Sequence, residues 1–377
     1  MSYDAIVLGL GGMGSAAAAT LSRRGLRVLG IEQFDRGHAL GSSHGHTRII
    51  RTAYYEHPDY VPLCRSSFAA WHDLEQRTGR HLLTQCPCLS LGLANGELIQ
   101  GVTSAAERHQ LDIERINSND LRQRFPQFQF DYDVVGVIET ASGFLYVDDC
   151  VRALQDDAIS HGAELRFGEP VLEWKAVGDS VAVRTAWETL SAARLIVTAG
   201  PWAGTMLAGL KLTLTVMRQV PMWFRPIEPA SFRRDCFPIF IADLPGAAVY
   251  GLPMIDPRGI KVALHYGAPE LPGPDAVNRE ITDADESPVR QFLTQHLADA
   301  AGPRTHASIC LYTLTPDRHF VIDEHPACQN VAIAAGFSGH GFKFAPIVGE
   351  ALANFATEGK MGQSVRMFSI RRFDKWH

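Results

Sequence analysis

The N-terminal 31 residues alternate between continuous apolar runs and a stretch with helical spacing. Residues 5–8 are apolar throughout and end at a glycine, which is typical of a strand buried in a parallel sheet. An alanine-rich helix is predicted from about residue 15 to residue 24, and Gly25 is placed to end it. A second buried strand is predicted over residues 26–31. The pattern therefore predicts a β-α-β unit.

The middle of the chain follows a different pattern. Helical spacing predicts helices over residues 104–124, with Ser104 as the N-cap, and over residues 148–161. From about residue 217 to residue 309, short strand-like runs alternate with proline and glycine turns, which indicates an antiparallel sheet. Further strands are predicted over residues 134–139, 163–167, 181–185 and 195–199.

The C-terminal part of the chain returns to the first pattern. A buried strand is predicted over residues 331–335, a glycine-rich loop over residues 336–341 and a helix over residues 346–358. The two ends of the chain are therefore expected to build one α/β domain, with middle segments inserted to form a second domain.

Composition and charge narrow the class of protein. The chain has 377 residues, enough for two domains, and its 46% hydrophobic and 20% charged residues are typical of a globular protein. The formal net charge of −6 gives no electrostatic reason to expect a nucleic acid partner, and no basic cluster indicates an anionic membrane. A small-molecule partner is the expectation that remains.

The seven cysteines are odd in number and scattered along the chain, which does not fit a disulfide framework. A reducing, cytoplasmic location is therefore expected. Cys86 and Cys88 are separated by one residue, whereas redox and zinc pairs have two residues between the cysteines. We interpret this pair as structural and predict no metal site.

Residues 9–14 (GLGGMG) fit the GxGxxG pattern of a dinucleotide-binding turn. Gly9 permits the tight turn, Gly11 lets the backbone approach a pyrophosphate, and Gly14 lets the helix pack on the strand. Glu32, at the end of the second strand, is placed to accept hydrogen bonds from ribose hydroxyls. The alternative is a packing turn with Glu32 on the surface. The other cofactor contacts predicted within this turn are Gly12 and Met13.

The motif alone does not distinguish NAD from FAD. Residues 195–202 form a predicted strand followed by a turn of small residues, with Gly200 and Trp202 as the predicted cofactor contacts. Two-domain FAD enzymes need such a second return of the chain to the cofactor, whereas simple NAD-dependent dehydrogenases do not. The sequence therefore favours FAD, and an NAD-dependent dehydrogenase is the alternative.

Three further segments resemble, in order, those of the monomeric sarcosine oxidase and N-methyltryptophan oxidase family. They are residues 41–51 (GSSHGHTRIIR), 310–313 (CLYT) and 336–344 (GFSGHGFKF). The resemblance implies an α/β fold with a Rossmann-like FAD-binding domain and a substrate domain with a largely antiparallel sheet and helices. The implied bounds are residues 1–85, 145–215 and 315–377 for the discontinuous FAD-binding domain, and 86–144 and 216–314 for the substrate domain.

The resemblance also implies roles for single residues. Cys310 matches the thiol that forms a covalent thioether to the 8α-methyl group of the flavin, although an inert buried cysteine is the alternative. Arg51 and Lys343 match the pair that holds the substrate carboxylate. The implied flavin contacts in these segments are Ser43, His44, Thr47, Arg48, Gly339, Gly341 and Lys343, with His44 and Arg48 also expected to act in catalysis.

Lys261 and His265 are expected to point into one site, because alternate residues of a strand face the same side. The resemblance makes Lys261 the residue that promotes the reaction with oxygen and His265 a catalytic residue near the substrate amine. An edge strand with two solvated side chains is the alternative. The resemblance further implies that Tyr250 forms a wall of the substrate cavity and that the carbonyl of Gly339 faces the substrate amine.

The implied activity is oxidation of a small secondary amino acid, N-methyl or cyclic, with oxygen reduced to hydrogen peroxide by a monomeric enzyme. A dehydrogenase with another electron acceptor and a non-catalytic flavin-binding protein are the alternatives. The chain departs from the family where His46 replaces an aspartate and where residues 55–58 (YEHP) replace glycines. The second departure predicts a bulkier and stiffer lid, so the sequence leaves the identity of the substrate open.

Overall fold

The computed structural model describes residues 2–210 and 212–375. Within them the α-helices are α1 Gly12–Arg23, α2 Tyr60–Thr78, α3 Glu97–His109, α4 Ser118–Arg124, α5 Val147–Ser160, α6 Ala203–Met206, α7 Asp283–His296 and α8 Ala345–Glu358. The strands are β1 Tyr3–Leu8, β2 Val28–Ile31, β3 Thr47–Ile50, β4 Leu83–Gln85, β5 Cys88–Gly92, β6 Ile113–Ile116, β7 Val135–Glu139, β8 Gly143–Tyr146, β9 Glu164–Arg166, β10 Val171–Val177, β11 Ser180–Thr185, β12 Thr189–Val197, β13 Thr215–Gln219, β14 Met222–Phe224, β15 Ile239–Leu244, β16 Ala247–Leu252, β17 Ile260–Leu264, β18 Glu270–Leu271, β19 Arg304–Ala307, β20 Cys310–Leu314, β21 Val321–His325 and β22 Cys328–Ala335.

The first sheet is mixed and contains the predicted β-α-β unit. Its order is β10-β11-β12-β1-β2-β9, with β22 paired to β12 and β21 paired to β22. Strand β1 runs parallel to β2 and β12, and β12 runs parallel to β22. The carboxyl ends of these parallel strands therefore meet at one edge, which is where open α/β sheets bind their ligands.

Both faces of this sheet are covered, which explains the continuous apolar run of β1. Ala5 and Val7 pack in a core with α1, α5 and α8, whereas Ile6 and Leu8 pack in a second core on the opposite face. Small residues let the helices approach closely. A Cβ on Gly349 of α8, for example, would come within 2.6 Å of the backbone of α1.

The second large sheet has the order β19-β14-β17-β16-β15-β5-β7-β6. Its neighbours are antiparallel except for the parallel pair β15 and β5, so the predicted antiparallel character is confirmed. Helix α7 packs on this sheet through Val289, Phe292 and Leu293.

Two small antiparallel sheets carry residues of the expected site. The sheet β3-β8-β4 holds the segment that ends at Ile50, just before Arg51, and the sheet β18-β13-β20 holds Cys310. Small sheets of this kind fix loop-borne side chains to a rigid frame, which is what a binding site requires.

The predicted helix over residues 104–124 was wrong. Ser104 lies inside α3, and α3 ends where Gln110 adopts a left-handed φ of 51°. Strand β6 then pairs with β7, and α4 begins after the Asn117 side chain caps two backbone N–H groups. Local spacing carried no sign of β6, because a polar four-residue strand owes its conformation to its partner.

Helix α7 lies in the region that was expected to hold only strands and turns. Its start is a capping box, in which Thr282 and Asp285 each bond to the other's backbone N–H. Pro288 inside the helix is disfavoured there and conceals the helical pattern. The remaining predicted strands and helices are present, with bounds that differ by a few residues. Among the described residues, no helix is both long and apolar enough to span a membrane.

Candidate active site

A cleft opens at the carboxyl ends of β1, β2 and β12, where the predicted dinucleotide turn lies. Gly9 adopts a φ of 85° there, and a Cβ on it would come within 2.6 Å of the Thr198 carbonyl oxygen. Glu32 accepts hydrogen bonds from the backbone N–H groups of Leu10 (2.9 Å) and Phe34 (3.2 Å). The predicted cofactor contacts that line this cleft are Gly9, Gly11, Gly12, Met13, Glu32, Ser43, Arg48, Gly200, Trp202, Cys310, Gly339 and Gly341.

The other predicted cofactor contacts do not line the cleft. A Cβ on Gly14 would come within 1.8 Å of a carbonyl oxygen in the turn, so this glycine permits the helix to pack on the strand. His44 is buried behind the cleft, and Thr47 offers its carbonyl and hydroxyl oxygens to Lys261. Lys343 lines a neighbouring cavity instead.

The cleft residues fit a flavin dinucleotide. Glu169 Oε1 and Thr313 Oγ1 are buried cleft atoms that find no hydrogen-bond partner among the described residues. Buried polar atoms are nearly always paired, so a bound group with hydroxyl, amine and ring nitrogen atoms would complete them. The glycine turn over residues 9–14 lies at the N-terminus of α1, where free backbone N–H groups can bind a phosphate.

Cys310, which lines the cleft, meets Arg48, a half-buried arginine that lines both the cleft and the neighbouring cavity. Its Sγ lies 3.0 Å from Arg48 Nη2, and the same nitrogen donates to the Ser42 carbonyl oxygen at 2.9 Å. His44 lies close by, and burial together with the Arg48 charge lowers its pKa to about 4, so its imidazole is neutral near pH 7.

Lys261 reaches from β17 into the turn that precedes β3. Its Nζ donates to the carbonyl oxygens of Gly45 and Thr47, both at 2.8 Å, and lies 5.1 Å from the centre of the Trp223 ring. Gly45 and His46 adopt positive φ values of 88° and 72°, which bend the turn around the amine. Burial lowers the pKa of Lys261, and the nearby Arg48 lowers it further.

A smaller cavity of about 70 Å³ adjoins the cleft and shares Arg48, Tyr312, Gly339 and Phe342 with it. The sequence-predicted substrate residues Arg51, Lys343, Tyr250 and Gly339 all line this cavity, together with His265. Lys261 does not line it, so the expectation that Lys261 and His265 share one lining is wrong. The strand ends at Leu264, and His265 lies just beyond it.

Arg51 is buried and holds a carboxylate of this chain. Its Nη2 donates to both oxygens of Glu56, at 3.0 and 2.7 Å, and its Nη1 donates to the Ala53 carbonyl oxygen at 2.7 Å. The guanidinium lies over the Tyr54 ring, 4.3 Å from its centre. Burial alone would raise the pKa of Glu56, but the charges of Arg51 and neighbouring groups lower it to about 2. The pair therefore shows that this part of the cavity binds a carboxylate.

Lys343 provides a second buried cationic group, an amine, on the same cavity. Its Nζ donates to the His340 carbonyl oxygen at 2.7 Å and to the Tyr54 hydroxyl at 3.3 Å. Burial and the charge of Arg51 lower its pKa to about 8. Burial lowers the pKa of His340 to about 3, and its Nδ1 lies 2.7 Å from the Tyr54 hydroxyl. Cationic character in this cavity thus comes from Arg51, from Arg48, which also lines the cleft, and, near neutral pH, from Lys343.

Aromatic side chains also line this cavity. His265 Nδ1 lies 3.5 Å from the Tyr312 hydroxyl, and its ring centre lies 6.2 Å from that of Tyr250. Burial lowers the pKa of His265 to about 4, so its ring is neutral near pH 7. The cavity therefore combines cationic side chains with uncharged aromatic rings.

The sequence matches the family described as DAO, FAD dependent oxidoreductase, over residues 4–355. The chain belongs to this family. It is 39% identical over 376 residues to a monomeric sarcosine oxidase of Streptomyces avermitilis, with 98% of each chain covered. It is also 34% identical over 377 residues to an N-methyl-L-tryptophan oxidase of Yersinia pestis, with 99% and 100% covered. The family predicted from the sequence segments is thereby confirmed, as is the class of enzyme, an FAD-dependent oxidoreductase.

Solved structures support the fold of this FAD dependent oxidoreductase. NikD, an amino acid oxidase essential for nikkomycin biosynthesis, matches with a TM-score of 0.86 at 24% identity, covering 98% of this chain and 97% of its own. L-proline dehydrogenase from P. horikoshii matches with a TM-score of 0.85 at 21% identity, covering 100% and 99%. The predicted fold class is thereby confirmed.

Several residues in or next to the cavity of this FAD dependent oxidoreductase were not predicted from the sequence. Glu56 was predicted in a lid rather than as a partner of Arg51, and Tyr54 and His340 were not singled out. The glycine-flanked position of His340 in the 336–344 segment was an available signal. Tyr54 had none, because its contact with Lys343 joins residues 289 positions apart.

Proposed function

We propose that this protein oxidises a small secondary amino acid, N-methyl or cyclic, to an imine, with oxygen reduced to hydrogen peroxide. The observation that carries the proposal is the pair of buried cations, Arg51 and Lys343, 4% and 5% exposed, in a cavity that adjoins the dinucleotide cleft. Two fixed positive charges beside a flavin cleft suit a substrate with a carboxylate next to its reacting bond. Relatives that are named sarcosine oxidase and N-methyl-L-tryptophan oxidase point to the same chemistry.

The size of the cavity favours a small substrate. Its volume is about 70 Å³, and a water molecule needs roughly 10–15 Å³ on this measure, so the space suits a molecule the size of N-methylglycine. Glu56 fills the carboxylate position and must leave before a substrate carboxylate binds Arg51. Its departure enlarges the cavity, which leaves room for larger N-methyl or cyclic amino acids.

The remaining cavity residues orient the substrate and keep its amine neutral. With the carboxylate on Arg51 and Lys343, the Gly339 carbonyl is available as an acceptor for the amine N–H. The rings of His265 and Tyr250 offer no negative charge to balance an ammonium group, and Arg48 lines the same cavity, so a deprotonated amine is favoured. A neutral amine is the form that reacts, so turnover should rise as the pH becomes alkaline.

The flavin would lie in the cleft, contacted by the lining residues named above. Bound FAD supplies the acceptor for the hydride equivalent that leaves the carbon beside the amine. We further propose that Cys310 attaches the flavin covalently as an 8α-S-cysteinyl thioether, with the Arg48 guanidinium 3.0 Å from the cysteine sulfur. Residues 1–85, 145–215 and 315–377 would then form the FAD-binding domain, and 86–144 and 216–314 the substrate domain.

Lys261 favours oxygen as the electron acceptor. A buried amine beside the flavin ring would stabilise the anion that forms when oxygen takes up an electron. An enzyme that passes electrons to a quinone or a protein would not need this buried amine. We also propose that the protein is cytoplasmic, since all seven cysteines are free thiols and a reducing compartment maintains them. The relatives named monomeric sarcosine oxidase support the proposal that it is a monomer.

Anaerobic titration of the yellow protein with N-methyl and cyclic amino acids tests the proposal. Bleaching of the flavin by at least one of them is expected, followed in air by the release of one hydrogen peroxide for each imine formed. Bleaching without peroxide would favour the dehydrogenase alternative. A yellow protein that no secondary amino acid bleaches would contradict the proposed function.

Covalent attachment makes a separate prediction. After precipitation with acid, the yellow colour should remain in the pellet of the wild-type protein and move to the supernatant for Cys310→Ser. Cys64→Ser is the matched control, because Cys64 is a buried cysteine outside the cleft lining. Colour in the wild-type supernatant would rule out the thioether and leave the proposed oxidation untouched.

A further inference from the structure

A buried carboxylate outside both cavities holds the backbone next to Arg51. Glu139 ends strand β7 and is 4% exposed, yet it lines neither the cleft nor the substrate cavity. Its Oε1 accepts from the Thr52 backbone N–H at 2.7 Å and from the Thr52 hydroxyl. Its Oε2 accepts from the Ala53 backbone N–H at 3.1 Å. One side chain thus satisfies three donors of two consecutive residues.

Those donors have no alternative partner of the usual kind. Strand β3 pairs with β8 only as far as Ile50, so the sheet provides no acceptors for Thr52 and Ala53. Both residues are buried, at 7% and 3% exposed, so water does not replace the missing sheet partner. A buried N–H group without a partner is destabilising, which gives the Glu139 carboxylate a defined task.

The same short segment encloses the Arg51 guanidinium. Arg51 Nη1 donates to the Ala53 carbonyl oxygen at 2.7 Å, and the guanidinium stacks on the Tyr54 ring. Glu139 therefore holds the N–H group of Ala53, and the carbonyl group of the same residue orients Arg51. A displacement of this segment would carry the guanidinium with it.

Glu139 itself is held by a rigid frame. Strand β7 pairs with β5 in the second large sheet, where Glu139 lies opposite Cys88. The Ser142 hydroxyl donates to the Glu139 carbonyl oxygen at 2.9 Å, and Ser142 is fully buried. The frame that fixes Arg51 is therefore the second large sheet, although Arg51 follows a strand of a different sheet.

We propose that Glu139 is a positioning residue for the carboxylate-binding site, acting through the Thr52 and Ala53 backbone to fix the guanidinium of Arg51. The proposal rests on the function proposed above, in which Arg51 binds the substrate carboxylate. Glu139 touches neither the substrate nor the flavin, so its replacement should affect carboxylate recognition and spare the rest of the site. A residue that merely stabilised the fold would affect charged and neutral ligands alike.

Glu139→Gln tests this proposal in the holoenzyme. The glutamine NH2 group would face one of the backbone N–H groups, so one hydrogen bond to a charged acceptor is lost and a donor faces a donor. Butyrate, a carbon isostere of N-methylglycine, is titrated against the absorbance of the bound flavin, and butyramide is its neutral counterpart. The dissociation constant of butyrate should rise about tenfold or more, and that of butyramide less than about twofold.

Turnover gives a second, independent comparison. The value of kcat/KM for N-methylglycine should fall by the same factor as butyrate affinity, whereas that for N-methylglycinamide should stay within about twofold. Glu114→Gln is the matched control, because Glu114 lies on the neighbouring strand β6, opposite Ile138, and is exposed. It should leave all four values at the wild-type level.

Thr52→Val removes the hydroxyl that donates to Glu139 and keeps the backbone N–H groups. It is the second test of the proposal if Glu139→Gln does not fold. It should shift the same ratios in the same direction by about two- to fivefold. Equal losses for butyrate and butyramide, or no loss in either variant, would overturn the proposal. A failure of the function proposed above would look different from a failure of this proposal. In that case the wild-type protein would bind butyrate but oxidise no secondary amino acid. The comparison of butyrate with butyramide would still decide the role of Glu139.

Discussion

In the proposed function, Glu56 and a substrate carboxylate compete for the guanidinium of Arg51. Glu56 makes a buried, two-pronged ion pair with Arg51, so any carboxylate that enters must displace it. Glu56→Gln removes the competing charge and should tighten butyrate binding about three- to tenfold, which corresponds to about 0.7–1.4 kcal/mol. Titration of the flavin absorbance measures this, with Glu97→Gln, at the exposed start of α3, as the control. Weaker binding by Glu56→Gln would mean that Glu56 supports Arg51 instead of competing for it.

The charge of Lys343 should make carboxylate binding depend on pH. Its folded-state pKa of about 8 means that the amine is protonated below this pH and neutral above it. A carboxylate prefers the protonated form, so butyrate should bind about tenfold more weakly at pH 9 than at pH 7. Butyrate has no amine of its own, so titration of the substrate amine does not obscure the effect. Lys343→Met should bind butyrate more weakly than the wild type at pH 7, and its butyrate affinity should not depend on pH. A wild-type butyrate affinity that stays constant up to pH 9 would contradict the role of Lys343 in binding the carboxylate.

The packing of α1 on the turn that follows β1 depends on the absence of a Cβ atom at Gly14. A Cβ at Gly14 would come within 1.8 Å of the Gly9 carbonyl oxygen and 2.6 Å of the Thr198 hydroxyl. Gly14→Ala should therefore displace the turn, lower the stability by about 1–3 kcal/mol and reduce FAD retention. Thermal unfolding and the flavin content of the purified protein measure the two effects. Gly204→Ala, where a Cβ would meet nothing within 4 Å, should behave like the wild type.

Elements of different sheets meet around the flavin cleft, and the position of Lys261 depends on how two of these sheets are arranged in the whole molecule. It extends from β17 of the second large sheet to the turn before β3, so its amine is placed by the joint arrangement of two sheets. Lys261→Met should slow reoxidation of the reduced enzyme by oxygen about 100-fold and change anaerobic reduction by the substrate little. Stopped-flow measurement separates the two half-reactions, and Lys175→Met, at an exposed lysine of β10, is the control. Equal slowing of both half-reactions would indicate a general disturbance of the site.

The sequence by itself determined those features whose physical causes are local. The apolar run of β1 and the glycines at positions 9 and 14 specify a strand, a tight turn and close helix packing, and all three are present. The alternation of side chains in a strand predicted that Lys261 and His265 face one site, but it could not show that β17 ends at Leu264, before His265. Local spacing also missed β6 and α7, because a partner strand and a capping box outweigh the average propensity of a segment.

Only the tertiary structure decided which charges meet. The sequence predicted that Arg51 and Lys343 bind a carboxylate, and the fold places both on one cavity, but the partners that orient them come from distant segments. Lys343 contacts Tyr54, and the Arg51 segment contacts Glu139 from another sheet. Such contacts join buried polar groups that must find partners somewhere, and their choice depends on how the sheets pack. Periodicity along the chain carries no record of that packing.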